Sequence, residues 1–378
     1  MKIGILTFWW SHDNYGQLLQ CYALQKYLRD MGHQAYLIRY NYNADITRNT
    51  NYKRLLKALN PLKLIRYCVR KILKQNRIKS LVEPDRKFTL FRERYLNVSE
   101  KEYSHYSELK MFPPNADAYI VGSDQIWNCN YIDAPSSVPY HAYFLDFGGN
   151  DVLRLSYAAS WGIKTLPDSY RKSISQFLNA FNYVSVREES GIELCKSCGR
   201  EDVEWVCDPT LLLDADTYRA IYNENEVRKI NDKFLLLYVL NNEFNFDLQS
   251  IYSFAAKKGL EVIYVTGNGL IDDRKKYYAT IPEWLYLIDN AEYVITNSYH
   301  CSVFSTIFNK RFGVIPLTGR SIEMNVRFRS LFDMLEIGDH FITEADFSCS
   351  EKIYNQKAIS VSERFIKTLS DIDTGVKK

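Results

Sequence analysis

Residues 2–40 read KIGILTFWWSHDNYGQLLQCYALQKYLRDMGHQAYLIRY and contain a complete strand–helix–strand pattern. Apolar, β-branched and aromatic residues at Lys2–Phe8 and again at Gln34–Tyr40 predict two strands. Between them, Gln17–Asp30 carries apolar residues at helical spacing and ends just before Gly32, which predicts a helix. Two strands joined through a helix pair in parallel, so this segment is predicted to form a βαβ unit.

The same alternation of strand and helix patterns continues along the chain. Short β-branched or aromatic runs predict strands at Asp117–Ser123, Tyr183–Arg187, Phe234–Leu240, Glu261–Thr266, Glu292–Asn297 and Phe312–Pro316. Helical spacing predicts helices over 168–180, 189–198, 246–259 and 300–309. Strands separated by helices imply parallel sheets that are buried on both faces. We therefore predict an α/β protein of two Rossmann-like domains facing a cleft, residues 1–207 and 208–354, with a C-terminal helix in 355–378 that returns to the first domain.

Composition and charge narrow the classes of function. The 378 residues carry 48 Lys and Arg against 45 Asp and Glu, a net charge of +3. This balance argues against a nucleic-acid-binding protein, whose affinity rests on many cations that neutralise phosphates. Met1–Phe8 lacks the features of a signal peptide, and the longest apolar run, Phe234–Leu240, is far shorter than the ~20 residues that span a bilayer. We predict a cytoplasmic protein that does not bind nucleic acid.

The eight cysteines predict reduced, buried thiols, because they are scattered along a chain without a secretory signal. Only Cys195 and Cys198 form a CxxC pair, and no second pair or nearby histidine completes a zinc site. A redox CxxC is expected near a strand-to-helix turn, whereas this pair ends a predicted helix. The sequence therefore predicts a structural role for the pair and no metal site.

The basic charge is concentrated in one segment. Ten Lys and Arg residues and no acidic residue lie between Lys53 and Lys79. Asn60-Pro61 is a good start for a helix, predicted over 61–80, with a cationic stripe opposite its apolar residues. One interpretation is a solvated face of a surface helix. The other is peripheral contact with an anionic membrane, at the inner face of the cytoplasmic membrane, worth ~1 kcal/mol per Lys or Arg near the surface.

Four groups of motifs occur in a fixed order between residues 13 and 327. They are DNYGQ at 13–17 with LQCYAL at 19–24, GSDQIWN at 122–128, SVREES at 185–190 with DPT at 208–210, and TNSYH at 296–300 with FS at 304–305 and NVR at 325–327. Read together, they resemble the polysaccharide pyruvyl transferase family. The resemblance implies a GT-B-like fold and transfer of pyruvate from phosphoenolpyruvate to two hydroxyls of a hexose as a cyclic ketal. It implies a role in the synthesis of surface polysaccharides, capsule or exopolysaccharide, and no metal or organic cofactor.

A phosphoenolpyruvate site needs fixed cations or helix N-termini for a carboxylate and a phosphate. Arg187 follows a predicted parallel strand, whose carboxyl end faces the ligand crevice of α/β proteins. Its alternative is a surface ion pair with Glu188 or Glu189. The family usually presents arginine two residues before its site histidine, but Ser298 occupies that place here. The resemblance therefore assigns donor binding to Arg187, Ser298, Tyr299, His300 and Arg327, with Lys310 and Arg311 as other sources of the missing charge.

Two side chains are candidates for proton transfer. His300 stands at the start of a predicted helix, and a histidine titrating near neutral pH suits either proton movement of the reaction. Asp124 follows a predicted strand and a Gly-Ser turn, where a carboxylate could accept a hydroxyl proton. The alternatives are a histidine that only hydrogen-bonds locally and an aspartate that caps the next turn. The resemblance favours catalysis or donor binding for His300, whereas for Asp124 the catalytic role and the cap both stay open.

The acceptor side is assigned to the first predicted strand–helix loop and to one aromatic residue. Asn14, Tyr15, Gly16 and Gln17 form a turn in which glycine permits close approach of the backbone. Trp127 could stack on a sugar, although burial in the core is the commoner fate of tryptophan. The acceptor is predicted to be a hexose, free or carried on a polyprenyl diphosphate lipid.

Two other functions fit the same sequence. A nucleotide-sugar-dependent glycosyltransferase of GT-B fold would share the cleft, and the fold alone does not separate the two activities. A non-catalytic carbohydrate-binding homologue is suggested by serine at position 298.

Overall fold

The computed structural model describes residues 1–41, 84–129, 138–240, 242–267, 272–351 and 362–373. The basic segment 53–79 and the helix predicted over 61–80 lie outside these ranges. Within them, no helix is both long and apolar enough to cross a membrane.

The first domain is built on a parallel five-stranded sheet in the order β3-β2-β1-β4-β5. Its strands are β1 (Lys2–Leu6), β2 (Gln34–Tyr40), β3 (Val98–Tyr103), β4 (Ala118–Val121) and β5 (Leu153–Ser156). A parallel pair, β6 (Val184–Val186) and β7 (Val203–Trp205), adjoins β5 through isolated bridges such as Leu155 to Tyr183. In β1 every residue after Lys2 is buried, because helices cover both faces of the sheet.

The second domain has a parallel four-stranded sheet in the order β11-β10-β8-β9. Its strands are β8 (Phe234–Val239), β9 (Glu261–Thr266), β10 (Tyr293–Thr296) and β11 (Arg311–Val314). All six residues of β8 are buried, as expected for a central parallel strand.

Helices connect the strands and cover the sheets. In the first domain they are α1 (Tyr15–Asp30), α2 (Phe88–Tyr95), α3 (Tyr106–Met111), α4 (Val138–Tyr143), α5 (Asp168–Leu178) and α6 (Ser190–Ser197). They continue with α7 (Ala215–Asn223), α8 (Leu248–Lys257), α9 (Ile281–Asn290), α10 (Tyr299–Ile307), α11 (Val326–Leu335) and α12 (Glu363–Asp373). Short 3₁₀ turns lie at Pro209–Leu212, Gly319–Asn325 and Ser348–Glu351. Local sequence fixes several helix starts: Asn14 caps α1, and Thr280 with Glu283 forms a capping box on α9.

The two domains share a hydrophobic interface. Tyr15 of α1 stacks on Trp284 of α9, with ring centroids 5.1 Å apart and planes 1° from parallel. Its hydroxyl donates to the carbonyl of Ala279 at 2.7 Å. A single cluster of buried side chains runs from β1 through these two residues to Phe304 of α10. Residues from both domains therefore pack in one continuous core.

The C-terminal helix α12 lies on the first domain. Phe365 is fully buried, with its ring 5.0 Å from Tyr157 and 5.5 Å from Tyr183. Arg364 pairs with Asp202, just before β7. The chain thus ends its described part on the domain in which it started.

Candidate active site

A cavity of about 310 Å³ lies at the carboxyl ends of the strands, between the two domains. The first domain contributes Asn14, Asp124 and Gln125, and the second contributes the start of α10. The other lining residues are Leu240, Asn242, Asn297, Leu317, Met324 and Arg327. The lining is mostly polar, which suits a hydrophilic ligand.

The start of α10 places His300 at this cavity. The hydroxyl of Ser298 caps the helix by accepting a hydrogen bond from the backbone N–H of Cys301 at 3.4 Å. His300 is the second residue of the helix, and its ring packs directly against Gly16 of α1. Its Nε2 atom is buried, 3.5 Å from a carboxylate oxygen of Asp208. The other ring nitrogen, Nδ1, lies on the edge of the ring beside Gly16.

Asp124 is held in an unusual backbone conformation on the opposite wall. Its φ angle is +83°, a left-handed value that non-glycine residues rarely adopt and that costs on the order of 1–3 kcal/mol. One carboxylate oxygen accepts a hydrogen bond from Gln17 Nε2 at 3.2 Å, and the other accepts from the backbone N–H of Gln125 at 2.9 Å. These bonds fix the carboxylate at the edge of the cavity.

Beneath the cavity lies a fully buried ion pair. Arg187 Nη1 donates to Asp208 Oδ2 at 2.9 Å, and neither side chain is exposed. The carboxyl oxygens of Glu188 are also near, with one of them 3.7 Å from Arg187 Nε. Arg187 Nε and Nη2 have no hydrogen-bond partner among the described residues. Such unpaired buried donors are costly and are typical of a site that awaits a ligand or a water.

The ring of Tyr299 connects this ion pair to the cavity. The Arg187 guanidinium carbon lies 4.4 Å from the ring centroid, and that of Arg327 lies 5.7 Å from it. Tyr299 and Arg327 line the cavity directly. Arg187 does not, because its side chain is covered. Arg187 is therefore not exposed in the crevice, contrary to the expectation from its sequence position. The ring of Tyr299 separates its guanidinium from the cavity.

The remaining residues assigned from the sequence fall into two groups. Asn14, Gly16 and Gln17 lie at the cavity or beside a residue that lines it. Tyr15 is buried in the domain interface. Trp127 is buried against Phe144, and its Nε1 donates to the carbonyl of Tyr143 at 3.0 Å. Neither aromatic ring faces the cavity, so we leave both out of the acceptor site proposed below.

Sequence reasoning missed several residues of the site. The sequence presents Asp208 only as part of the motif DPT. An aspartate before a turn is explained well enough as a cap, and Asp208 does accept a hydrogen bond from the N–H of Thr210. Gln125 and Asn297 belong to motifs that were recognised, but they were not singled out. Asn242 belongs to none of the motifs.

Among the described residues, no group of three His, Cys, Asp or Glu side chains could hold a metal ion.

Comparison with known proteins adds an independent observation. The family model for polysaccharide pyruvyl transferase matches residues 14–317, which is most of the chain and includes every residue that lines the cavity except Met324 and Arg327. The chain belongs to this family. No curated protein sequence is similar enough to match.

Solved structures show how this family member is folded. The chain is similar to UDP-GlcNAc 2-epimerase from Methanocaldococcus jannaschii in complex with UDP-GlcNAc and UDP, at 12% identity and a TM-score of 0.54, over 99% of this chain and 100% of that one. A second structure of the M. jannaschii enzyme matches at 13% identity and a TM-score of 0.50, over 98% and 99% of the two chains. At such identities the likeness shows the fold alone. The pyruvyl transferase family member thus has a GT-B-like fold of two α/β domains with parallel sheets.

Proposed function

We propose that the protein transfers pyruvate from phosphoenolpyruvate to two hydroxyls of one hexose, forming a cyclic ketal. Two C–O bonds form at C2 of the donor, and the C–O bond to phosphate breaks. Of the two hydroxyl protons, one ends on the methylene carbon, which becomes a methyl group, and one leaves with the phosphate. The observation that supports this most is the placement of His300 and Asp124, a base and a carboxylate from different domains, around one polar cavity.

The donor is proposed to bind at the second-domain wall. Arg327 lines the cavity and offers a guanidinium to the donor phosphate or carboxylate. The first turn of α10 adds backbone N–H groups and the positive end of its dipole, which takes the place of the arginine usual at Ser298. Arg187 contributes its unpartnered Nε and Nη2 atoms when the Tyr299 ring shifts aside.

Proton transfer is assigned to the two groups on opposite walls. His300, which lines the cavity, is proposed to exchange a proton with a hydroxyl or with the methylene carbon. The Asp124 carboxylate, held by Gln17, orients the second hydroxyl and supports its deprotonation. Holding both hydroxyls of one sugar makes the second ring-closing step intramolecular, which is worth several kcal/mol of barrier by proximity. No step requires a metal or an organic cofactor.

The acceptor is proposed to enter from the first-domain side, past Asn14 and Gln17. Trp10, on the loop that leads to Asn14, is 51% exposed and is held by stacking on Arg92 at 4.1 Å. Its exposed part is proposed to contact a sugar ring, in place of the buried Trp127. The proposed acceptor is a hexose of a surface polysaccharide precursor.

The activity test uses purified protein with phosphoenolpyruvate and a panel of free, nucleotide-linked and lipid-linked hexoses. The expected result is release of inorganic phosphate together with a product heavier than its acceptor by one pyruvate less one water. A His300→Ala variant that remains folded is the matched control and should be inactive. Nucleotide release from a nucleotide sugar without phosphoenolpyruvate would instead show a glycosyltransferase. Saccharide binding without any turnover would show a binding protein.

A further inference from the structure

The Asp208 carboxylate is the most completely bonded group at the site, and the proposed chemistry has not yet used it. Oδ1 accepts from the backbone N–H and the hydroxyl of Thr210, at 3.0 and 2.7 Å. Oδ2 accepts from Arg187 Nη1 and from the hydroxyl of Ser123, both at 2.9 Å. The remaining neighbour of Oδ2 is His300 Nε2 at 3.5 Å.

Every polar group around this carboxylate can donate a hydrogen bond to it. Two of these groups, a backbone N–H and a guanidinium, can donate but cannot accept. The Thr210 backbone N–H covers Oδ1 and the Arg187 guanidinium covers Oδ2. Burial alone would raise the pKa of Asp208, but His300, Arg187 and Thr210 outweigh it and hold that pKa well below its ordinary value. The carboxylate is therefore ionised and acts as an acceptor only.

The histidine has little freedom in this arrangement. Its Nε2 is buried and has no hydrogen-bond partner at ordinary distance among the described residues, so Asp208 Oδ2 is the acceptor within reach. On its other side the ring packs against Gly16, where even one added methyl group would overlap it. Hydrogen bonds of catalytic groups are often long without substrate and shorten when it binds.

We propose that Asp208 is a positioning residue that holds the neutral His300 ring with its proton on Nε2. Nδ1, on the edge of the ring beside Gly16, then carries the lone pair and acts as the base. When Nδ1 takes a proton, the imidazolium lies beside an ionised carboxylate that stabilises it, as in acid–base triads. Arg187 acts one step further away by keeping Asp208 ionised and in place. The use of Nδ1 on a sugar hydroxyl rests on the proposed function, whereas the tautomer does not.

The tautomer is measured directly by ¹⁵N NMR of protein labelled in its six histidine rings, with His300 assigned by its loss in His300→Gln. The expected result for the neutral ring is an Nε2–H tautomer with an unprotonated Nδ1. An Nδ1–H tautomer of His300 in the wild-type protein overturns the proposal. This outcome is independent of whether any pyruvyl transfer is detected, so it is distinguishable from failure of the proposed function.

Two variants separate positioning from structure. Asp208→Asn removes the negative charge beside Nε2 and leaves a weaker, neutral acceptor there, so the preference for Nε2–H should weaken. On the proposed activity, kcat should fall roughly 10²–10⁴-fold with the donor KM little changed, as when an orienting aspartate is neutralised. The matched control is Thr210→Val, which removes a bond to the oxygen remote from His300 and should keep the tautomer. If Asp208→Asn does not fold, the proposal is tested by the tautomer of His300 in the wild-type protein alone. A folded Asp208→Asn protein with an unchanged tautomer and kcat refutes the proposal.

Discussion

The imidazole of His300 rests on the Cα atom of Gly16. A Cβ built on Gly16 would lie 2.2 Å from His300 Cγ and 2.3 Å from Nδ1, far inside contact distance. Gly16 belongs to α1 of the first domain and His300 to α10 of the second. Because Gly16 is helical, glycine is needed here for space and not for its backbone freedom. The contact therefore joins the two domains directly beside the cavity.

Gly16→Ala should therefore displace the His300 ring. We expect kcat to fall roughly 10²-fold, the usual effect of misplacing a catalytic group by about 1 Å. Overpacking should lower the free energy of unfolding by about 1–3 kcal/mol, less the ~1 kcal/mol that alanine gains over glycine in a helix. Steady-state kinetics and urea unfolding measure the two effects.

A double-mutant cycle supplies the control. A Cβ on Gly16 would also lie 2.3 Å from His300 Cβ, so the clash disappears only in a His300→Gly background, where adding Gly16→Ala should be neutral or stabilising by up to the ~1 kcal/mol of helix propensity. Equal losses of stability in both backgrounds would show that Gly16 is not packed against the ring.

Arg187→Met should be strongly destabilising, because it leaves the buried charge of Asp208 without its guanidinium. Breaking a buried pair by removal of one partner costs about 3–5 kcal/mol. The matched variant Arg219→Met breaks a half-exposed pair with Asp289 and should cost about 1 kcal/mol or less. Urea unfolding of both variants makes the comparison. A small and equal loss in the two would mean that Arg187 is exposed in solution, as its sequence position suggested.

Phe365→Ala should release α12 from the first domain. The ring is buried against Tyr157 and Tyr183, and removal of such a side chain costs about 3–5 kcal/mol. Lys367→Ala, two residues away on the exposed face, should change stability by less than about 0.5 kcal/mol. Thermal unfolding measures both. Similar melting temperatures for the two variants would contradict the docking of this helix.

The buried thiols should resist alkylation in the native protein. Burial raises the pKa of Cys195, Cys207 and Cys301 to about 12, so almost none of each is thiolate at pH 8. Mass spectrometry after iodoacetamide treatment at pH 8 should find these three unmodified until denaturant is added. Cys129, which is only half-buried, serves as the internal comparison. Rapid labelling of Cys301 without denaturant would show that the core around α10 opens.

The basic segment is tested by vesicle sedimentation. If residues 53–79 contact an anionic membrane, the protein should sediment with anionic vesicles at low salt, and binding should fade as salt rises. Replacing Lys63, Arg66, Arg70 and Lys74 by Gln should abolish binding. The control replaces four exposed lysines elsewhere by Gln and should keep most of the vesicle binding. These are Lys87, Lys101, Lys110 and Lys233. Wild-type protein that ignores anionic vesicles leaves the segment as a solvated helix face.

Sequence patterns predicted the strands that are buried on both faces. The predicted bounds of β2 and β9 agree with the structure, and those of β1 and β8 extend one or two residues too far. The edge strand β3 was missed because its sequence, VSEKEY, is mostly polar. Helix α9 was missed for the opposite reason: seven of its ten residues are buried, and only Glu283, Asp289 and Asn290 form its narrow polar side.

The part of the candidate site that lies in sequence motifs could be predicted from the sequence. His300, Asp124 and Arg327 lie far apart in sequence, and the structure brings them to one cavity. Burial was not predictable from residue type. Trp127 and Arg187 are covered by neighbours from distant segments, such as Phe144 and Tyr299, which no local pattern reveals.

The stacking of Tyr15 on Trp284 has a consequence for how the molecule moves and melts. Domains usually rock against each other unless their interface is large and apolar, and here a shared core joins them. Opening the cleft would expose both rings and break the bond from the Tyr15 hydroxyl to Ala279. We therefore expect substrates to exchange through the mouth of a rigid cleft, without hinge bending. The two domains should also lose their structure together, in one cooperative calorimetric transition.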